Sequence, residues 1–246
     1  MRLGFILAVI IAGVIGVCLA TPVPLGDHYH DFADKRTLLG IPNCLDVLSN
    51  VPFIIVGVWG VFWQLRSRPL PPEWLSYSAF FAGVALTGAG SFFYHLNPGN
   101  SRLAWDLLPM TCSFMSMIVA FVMERINLRA GCWIFAPLLA LGLSSVAYWR
   151  FTELEGRGDY RFYLFVEFFP AVVLAMVVAL FPPKYTRADD LAIAFSLFVL
   201  AKLFELFDRE TFFILGVASG HTLKHLTAGF CCFWILRMLM LRRPIR

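Results

Sequence analysis

The sequence predicts an all-α, polytopic transmembrane bundle. Of its 246 residues, 59% are hydrophobic and only 15% charged, against about 25% charged in soluble domains. Mean hydropathy is +0.75. The apolar residues also fall in runs close to the ~20 needed to cross ~30 Å of hydrocarbon. No water is available inside a bilayer to satisfy the backbone, so runs of this kind form helices.

In chain order the runs occupy roughly 3–20, 44–65, 74–96, 103–123, 131–149, 161–182, 189–207 and 221–241. Between them lie "RSRPLPPE", "NPGNSR", "ERINLR", "ELEGRGD", "PPKYTR" and "DRET", all rich in charges or helix breakers. The first run opens with Met1-Arg2 and ends in "CLATP". Its length exceeds that of most signal-peptide cores. Residues 1–20 are therefore expected to form a retained N-terminal transmembrane helix, with a cleaved signal peptide as the alternative, and 21–246 to form the main transmembrane domain.

Charge fixes an expected orientation. One face would carry Arg2, Arg66, Arg68, Arg125, Arg129, Lys184, Arg187, Arg237, Arg242, Arg243 and Arg246. The other has fewer basic residues, diluted by Asp27, Asp31, Asp34, Glu153, Glu155, Asp159, Asp208 and Glu210. The positive-inside rule makes the first face, with the C-terminus, cytoplasmic. The net charge of +4 is then a topology signal and implies no nucleic-acid partner. Short loops point to a bacterial inner membrane. The six cysteines form no CxxC pair and read as small buried hydrophobes.

Few ionisable residues interrupt the runs, and such residues are costly in a membrane and usually functional. Ser91 and His95 end the third run, Asp106 starts the fourth, and His221 and His225 start the last. Counting crossings puts all five near the outer surface. Ser91 and His95 share a helix face by their spacing of four, as do His221 and His225. "HTLKH" resembles half of the HExxH zinc motif, but Thr222 stands where the glutamate would be. Three imidazoles from two helices make the usual ligand set of a catalytic zinc, with a fourth position left for water. Each residue alone has a blander reading: His95 as an interfacial hydrogen-bonder, Asp106 as a charge favoured by a helix N-terminus, Ser91 as ordinary helix packing. Lys202 and Glu205 are expected to neutralise each other, Glu167 to bond a neighbouring helix, Asp208 to brace a ligand histidine, and Lys224 to point away from the histidine stripe and snorkel.

Taken together, "SFFYHLNPGNSRLAWD" and "HTLKH" resemble the signature of the CREST superfamily of seven-helix membrane hydrolases, which includes alkaline ceramidases and the adiponectin and progestin receptors. All five signature positions match: Ser91, His95, Asp106, His221 and His225. "PNCLDVLSNVPFIIVGVWG" resembles the first core helix of the alkaline ceramidase branch, notably at Ser49 and Asn50. The resemblance covers roughly residues 27–241, so the 3–20 run is additional to the seven-helix core. It implies a zinc-dependent lipid amidase, most simply a ceramidase releasing a sphingoid base and a fatty acid. His95, His221 and His225 would hold the zinc, Asp106 would act as the base, and Ser91 would help steady the oxyanion. The eukaryotic ceramidase branch also binds calcium in an acidic loop before its first core helix. Here Asp31, Asp34, Asn43 and Asp46 are the hard oxygen donors available for calcium, although the loop's tryptophan is missing and Lys35 and Arg36 intrude. A related hydrolase of glycerolipid esters or other N-acyl lipids would use the same residues. The receptor branch suggests a metal-stabilised sensor instead, with a long cytoplasmic extension where this chain shows only "LRRPIR".

Overall fold

The computed structural model describes residues 1–26, 28–67 and 71–245. Asp27, Arg68 and Arg246, which belong to the charge pattern above, lie outside the described residues. The chain is helical throughout, with only isolated β-bridges among the described residues. The helices are α1 (Arg2–Leu19), α2 (Cys44–Leu48), α3 (Val51–Arg66), α4 (Trp74–Leu96), α5 (Asn100–Arg125), α6 (Leu128–Leu154), α7 (Arg161–Leu180), α8 (Asp190–Leu206), α9 (Asp208–Leu215) and α10 (Gly220–Leu241).

Among the described residues, seven spans are long and apolar enough to cross a membrane: α1, α2 with α3, α4, α5, α6, α7 and α10. At 17 residues α8 is shorter, yet it runs antiparallel along α10. Glu205 near its end pairs with Lys224 near the start of α10, and Asp190 at its start accepts from Trp234 Nε1 at 3.2 Å. It therefore covers much of the depth that α10 covers. The protein is a multi-pass membrane protein.

Two local departures from the expected runs matter for the site. The 44–65 run is not one helix: it breaks between α2 and α3 at Ser49 and Asn50, with Pro52 in the first turn of α3, a position proline favours. "DRET" is not a bare loop but the start of the short helix α9.

Around the bundle α10 packs against α8 and α3, α3 against α4, α4 against α5, and α5 against α6 and α7, while α1 leans on α7. Lipid tails provide no hydrophobic drive between helices, so close backbone approach does the work that burial does in water. On α4, Gly90 shows how close: a Cβ there would lie 2.1 Å from the Trp105 carbonyl oxygen of α5. That carbonyl is the one released by Pro109 four residues on, which has no N–H to offer it.

At one end of the bundle buried charges are paired. Lys184 Nζ donates to Glu73 at 2.8 Å and Arg242 to Glu124 at 2.6 Å. Arg125 donates to the Val178 and Phe181 carbonyls at 3.2 and 3.0 Å. A second ionic chain lies towards the opposite end and joins three helices: Glu167 (α7) to Lys202 (α8), Lys202 to Glu205 at 2.7 Å, and Glu205 to Lys224 (α10). The expected Lys202–Glu205 pair and the expected helix-to-helix bond of Glu167 are both present. Lys224 does not snorkel: Glu205 offers it a partner within the bundle.

Candidate metal centre

The end of α4 and the start of α10 meet at one end of the bundle. Helix ends leave backbone groups without partners, and here side chains supply them. Ser219 caps α10, its Oγ accepting the Thr222 N–H at 3.0 Å. Asp208 Oδ1 accepts the His221 N–H at 2.7 Å. Asn43, held in the left-handed region at φ 47° that asparagine tolerates, donates from Nδ2 to the His95 carbonyl at 2.9 Å. Gly220 allows this meeting, since a Cβ there would lie 2.2 Å from the Phe204 carbonyl oxygen. These contacts fix where each helix stops or starts, and so the direction in which its histidines point.

His95, His221 and His225 converge. Their rings are 4.6–4.9 Å apart between centroids, and one nitrogen of each lies within 4.8 Å of the others. The Nε2 atoms of His95 and His221 are 3.2 Å apart. A tetrahedral zinc with ~2.05 Å bonds to nitrogen has ligand-to-ligand edges of about 3.3 Å, so this pair already matches one such edge. All three residues are buried. Among the described residues, this is the only group of three or more His, Cys, Asp or Glu side chains placed to share one ion. The donor set of three imidazoles fits zinc, and α5, packed against α4, carries a buried carboxyl.

That carboxyl is Asp106. Ser91, one turn before His95, neighbours it, and its Oδ1 has no protein partner although it is buried. The close α4–α5 approach at Gly90 brings the two helices together at this level. Ser91, expected to steady a developing oxyanion, lies beside Asp106.

The loop before α2 closes over the histidines. The Phe32 ring lies 4.6 Å from His95 and 4.4 Å from His221. Ala33 N–H donates to Asp208 Oδ2 at 2.9 Å, so one carboxylate ties the loop to the first turn of α10. Asp208 thus braces the His221 backbone and not its ring. Arg36 donates twice to Asp34, at 2.8 and 2.7 Å, and reaches the Val217 carbonyl at 2.8 Å. In the same loop, His30 Nε2 donates to Asn100 Oδ1 at 2.6 Å, and its Nδ1 lies 2.7 Å from Tyr94 OH.

The donors expected for calcium are not gathered into one set. Asp31 pairs with Lys35 and with Arg209 at 2.5 Å. Asp34 is buried against Arg36, whose guanidinium holds its carboxyl below the usual carboxylate range. Asn43 serves His95, and Asp46 Oδ1 accepts from Ser219 Oγ at 3.1 Å and Thr222 Oγ1 at 2.5 Å. Lys35, Arg36 and Arg209 already neutralise Asp31 and Asp34, so these residues do not fit a calcium site as they stand. Thr222, the residue standing where HExxH has glutamate, is thereby part of the link between α2 and α10.

Two participants were not picked out as site residues in the sequence: Phe32 and Ser49. The serine lies in the quoted "SN" pair, but only the break between α2 and α3 reveals that it faces His225. No protein-family model matches the chain, and no curated protein matches it.

Proposed function

We propose that the protein is a zinc-dependent hydrolase of a membrane lipid amide, with ceramide as the simplest substrate. The observation that carries this reading is the convergence of three buried imidazoles, with a buried carboxyl bearing an unpartnered oxygen on the adjoining helix α5. Zinc in such a site supplies Lewis acidity and a water acidified towards pH ~7. His95, His221 and His225 hold the ion. Asp106 Oδ1 is available to take a proton from water and return it to the leaving amine, the work of a general base and then acid. Ser91 holds Asp106 in place. Phe32 limits entry of bulk water above the imidazoles. The apolar surroundings favour a substrate presented from the bilayer, with its scissile bond near the headgroup boundary.

By the positive-inside rule the metal end faces outward and the C-terminus lies in the cytoplasm, which for a bacterial inner membrane places the site near the periplasm. The test is elemental analysis of the purified protein together with assays offering ceramide, another N-acyl lipid and a glycerophospholipid side by side. Release of fatty acid from ceramide is expected. Zinc present with release only from a glycerolipid ester would reassign the substrate. Zinc present with no turnover of any lipid would favour the sensor reading.

A further inference from the structure

Three residues of the segment around α2 reach both ligand-bearing helices. Asn43 donates to the carbonyl of His95. Asp46 accepts from Ser219 and Thr222 in the first turn of α10. Ser49 Oγ lies 2.9 Å from His225 Nδ1 and also 2.9 Å from the Asp46 carbonyl oxygen, with His225 Nδ1 3.3 Å from that same oxygen. The contacts between this segment and the start of α10 are inside the protein: Asp46 and Ser219 are 0% exposed, Thr222 and His225 4%, and Ser49 5%.

Counting hydrogens fixes the tautomer. A hydroxyl has one hydrogen, and Ser49 gives it to the Asp46 carbonyl, which can only accept. Towards His225 the serine must then accept. The same carbonyl also faces His225 Nδ1, and again it can only accept. Both partners therefore require hydrogen on Nδ1, which leaves the lone pair of a neutral imidazole on Nε2. Metal-ligating histidines are held in this way, by a partner on the nitrogen that does not bind the ion.

We propose that Ser49 is the positioning residue of the metal centre: it locks His225 as the Nδ1–H tautomer, while Asn43 and Asp46 hold the two ligand helices in register. The inference rests on the three histidines being a metal site. It gives the 43–50 segment the task of setting zinc affinity, in place of the calcium role expected for Asn43 and Asp46.

The experiment compares the full chain, in detergent or nanodiscs, with Ser49→Val and Ser49→Thr. Valine and threonine share a shape and differ by the hydroxyl. Zinc affinity is measured by competition with a chromophoric chelator, and the Co²⁺-loaded proteins are compared by their visible absorption. Ser49→Val should bind zinc about 10–100-fold more weakly with an altered Co²⁺ spectrum, and Ser49→Thr should stay close to wild type. Equal zinc affinity in Ser49→Val and wild type, or equal losses in both variants, overturns the role of Ser49 and leaves the metal site standing. A wild-type protein that takes up no zinc overturns both.

Discussion

His95 and His221, 126 residues apart in sequence, bring their Nε2 atoms to 3.2 Å from each other inside the bundle. If they are metal ligands, His221→Ala should reduce bound zinc from about one per chain to near zero. If they merely share a hydrogen bond, the substitution leaves the metal content of the protein unchanged. Elemental analysis of the purified protein separates the two, with thermal unfolding as the check that the bundle survives.

Asp106→Asn should separate binding from chemistry. The amide keeps the shape but cannot serve as a base, so zinc content should stay at the wild-type level while turnover falls by about 10²–10⁴. Wild-type rates in this variant would remove Asp106 from the mechanism.

Arg36 and Asp34 give the loop before α2 an acid-sensitive contact. The guanidinium hydrogen bonds lower the Asp34 pKa on folding, and a group of that kind stabilises the fold above its unfolded pKa of ~3.9. The contribution disappears as pH falls through the lower folded value. Wild type should therefore lose thermal stability as pH falls below about 4. Arg36→Met should melt lower at neutral pH and show a shallower acid decline. Asp31, lowered by Lys35 and Arg209, adds a decline of the same sign that this substitution leaves in place. Parallel pH–Tm curves for the two proteins would show that the contact contributes nothing.

The Glu167–Lys202–Glu205–Lys224 chain should be asymmetric to mutation. Lys202→Met removes the ion-pair partner of Glu167 and one of the two partners of Glu205. Breaking a buried pair from one side typically costs about 3–5 kcal/mol, so a large fall in Tm is expected. Adding Glu167→Gln should recover part of it, since no unpaired carboxylate then remains on α7. A double variant no more stable than Lys202→Met alone would argue against the pair.

Much of the architecture was legible because membrane crossings impose a length, and the residues at the site stood out because charge inside a crossing is rare. Crossing parity alone placed Ser91, His95, Asp106, His221 and His225 at a common depth. What it did not reach is rotation about a helix axis and the path of irregular backbone. The break at Ser49 and Asn50 is hidden in a continuous apolar run. The packing of Phe32 over two histidines depends on a loop with no periodicity. Asp31 and Asp34 looked like free oxygen donors because sequence shows a carboxylate but not the guanidinium folded onto it. Lys224 was misplaced for a related reason: its partner Glu205 lies on another helix, and nothing local to α10 announces it.

The centre draws on residues from Asn43 to His225, so its parts leave the ribosome far apart in time. His95 is synthesised and inserted well before α10 exists, and its two companion imidazoles arrive only with the final crossing. An ion held by all three would therefore have to be acquired after translation has essentially finished, by a bundle already standing in the membrane. Chains stalled or cut before α10 would carry His95 without a centre to join.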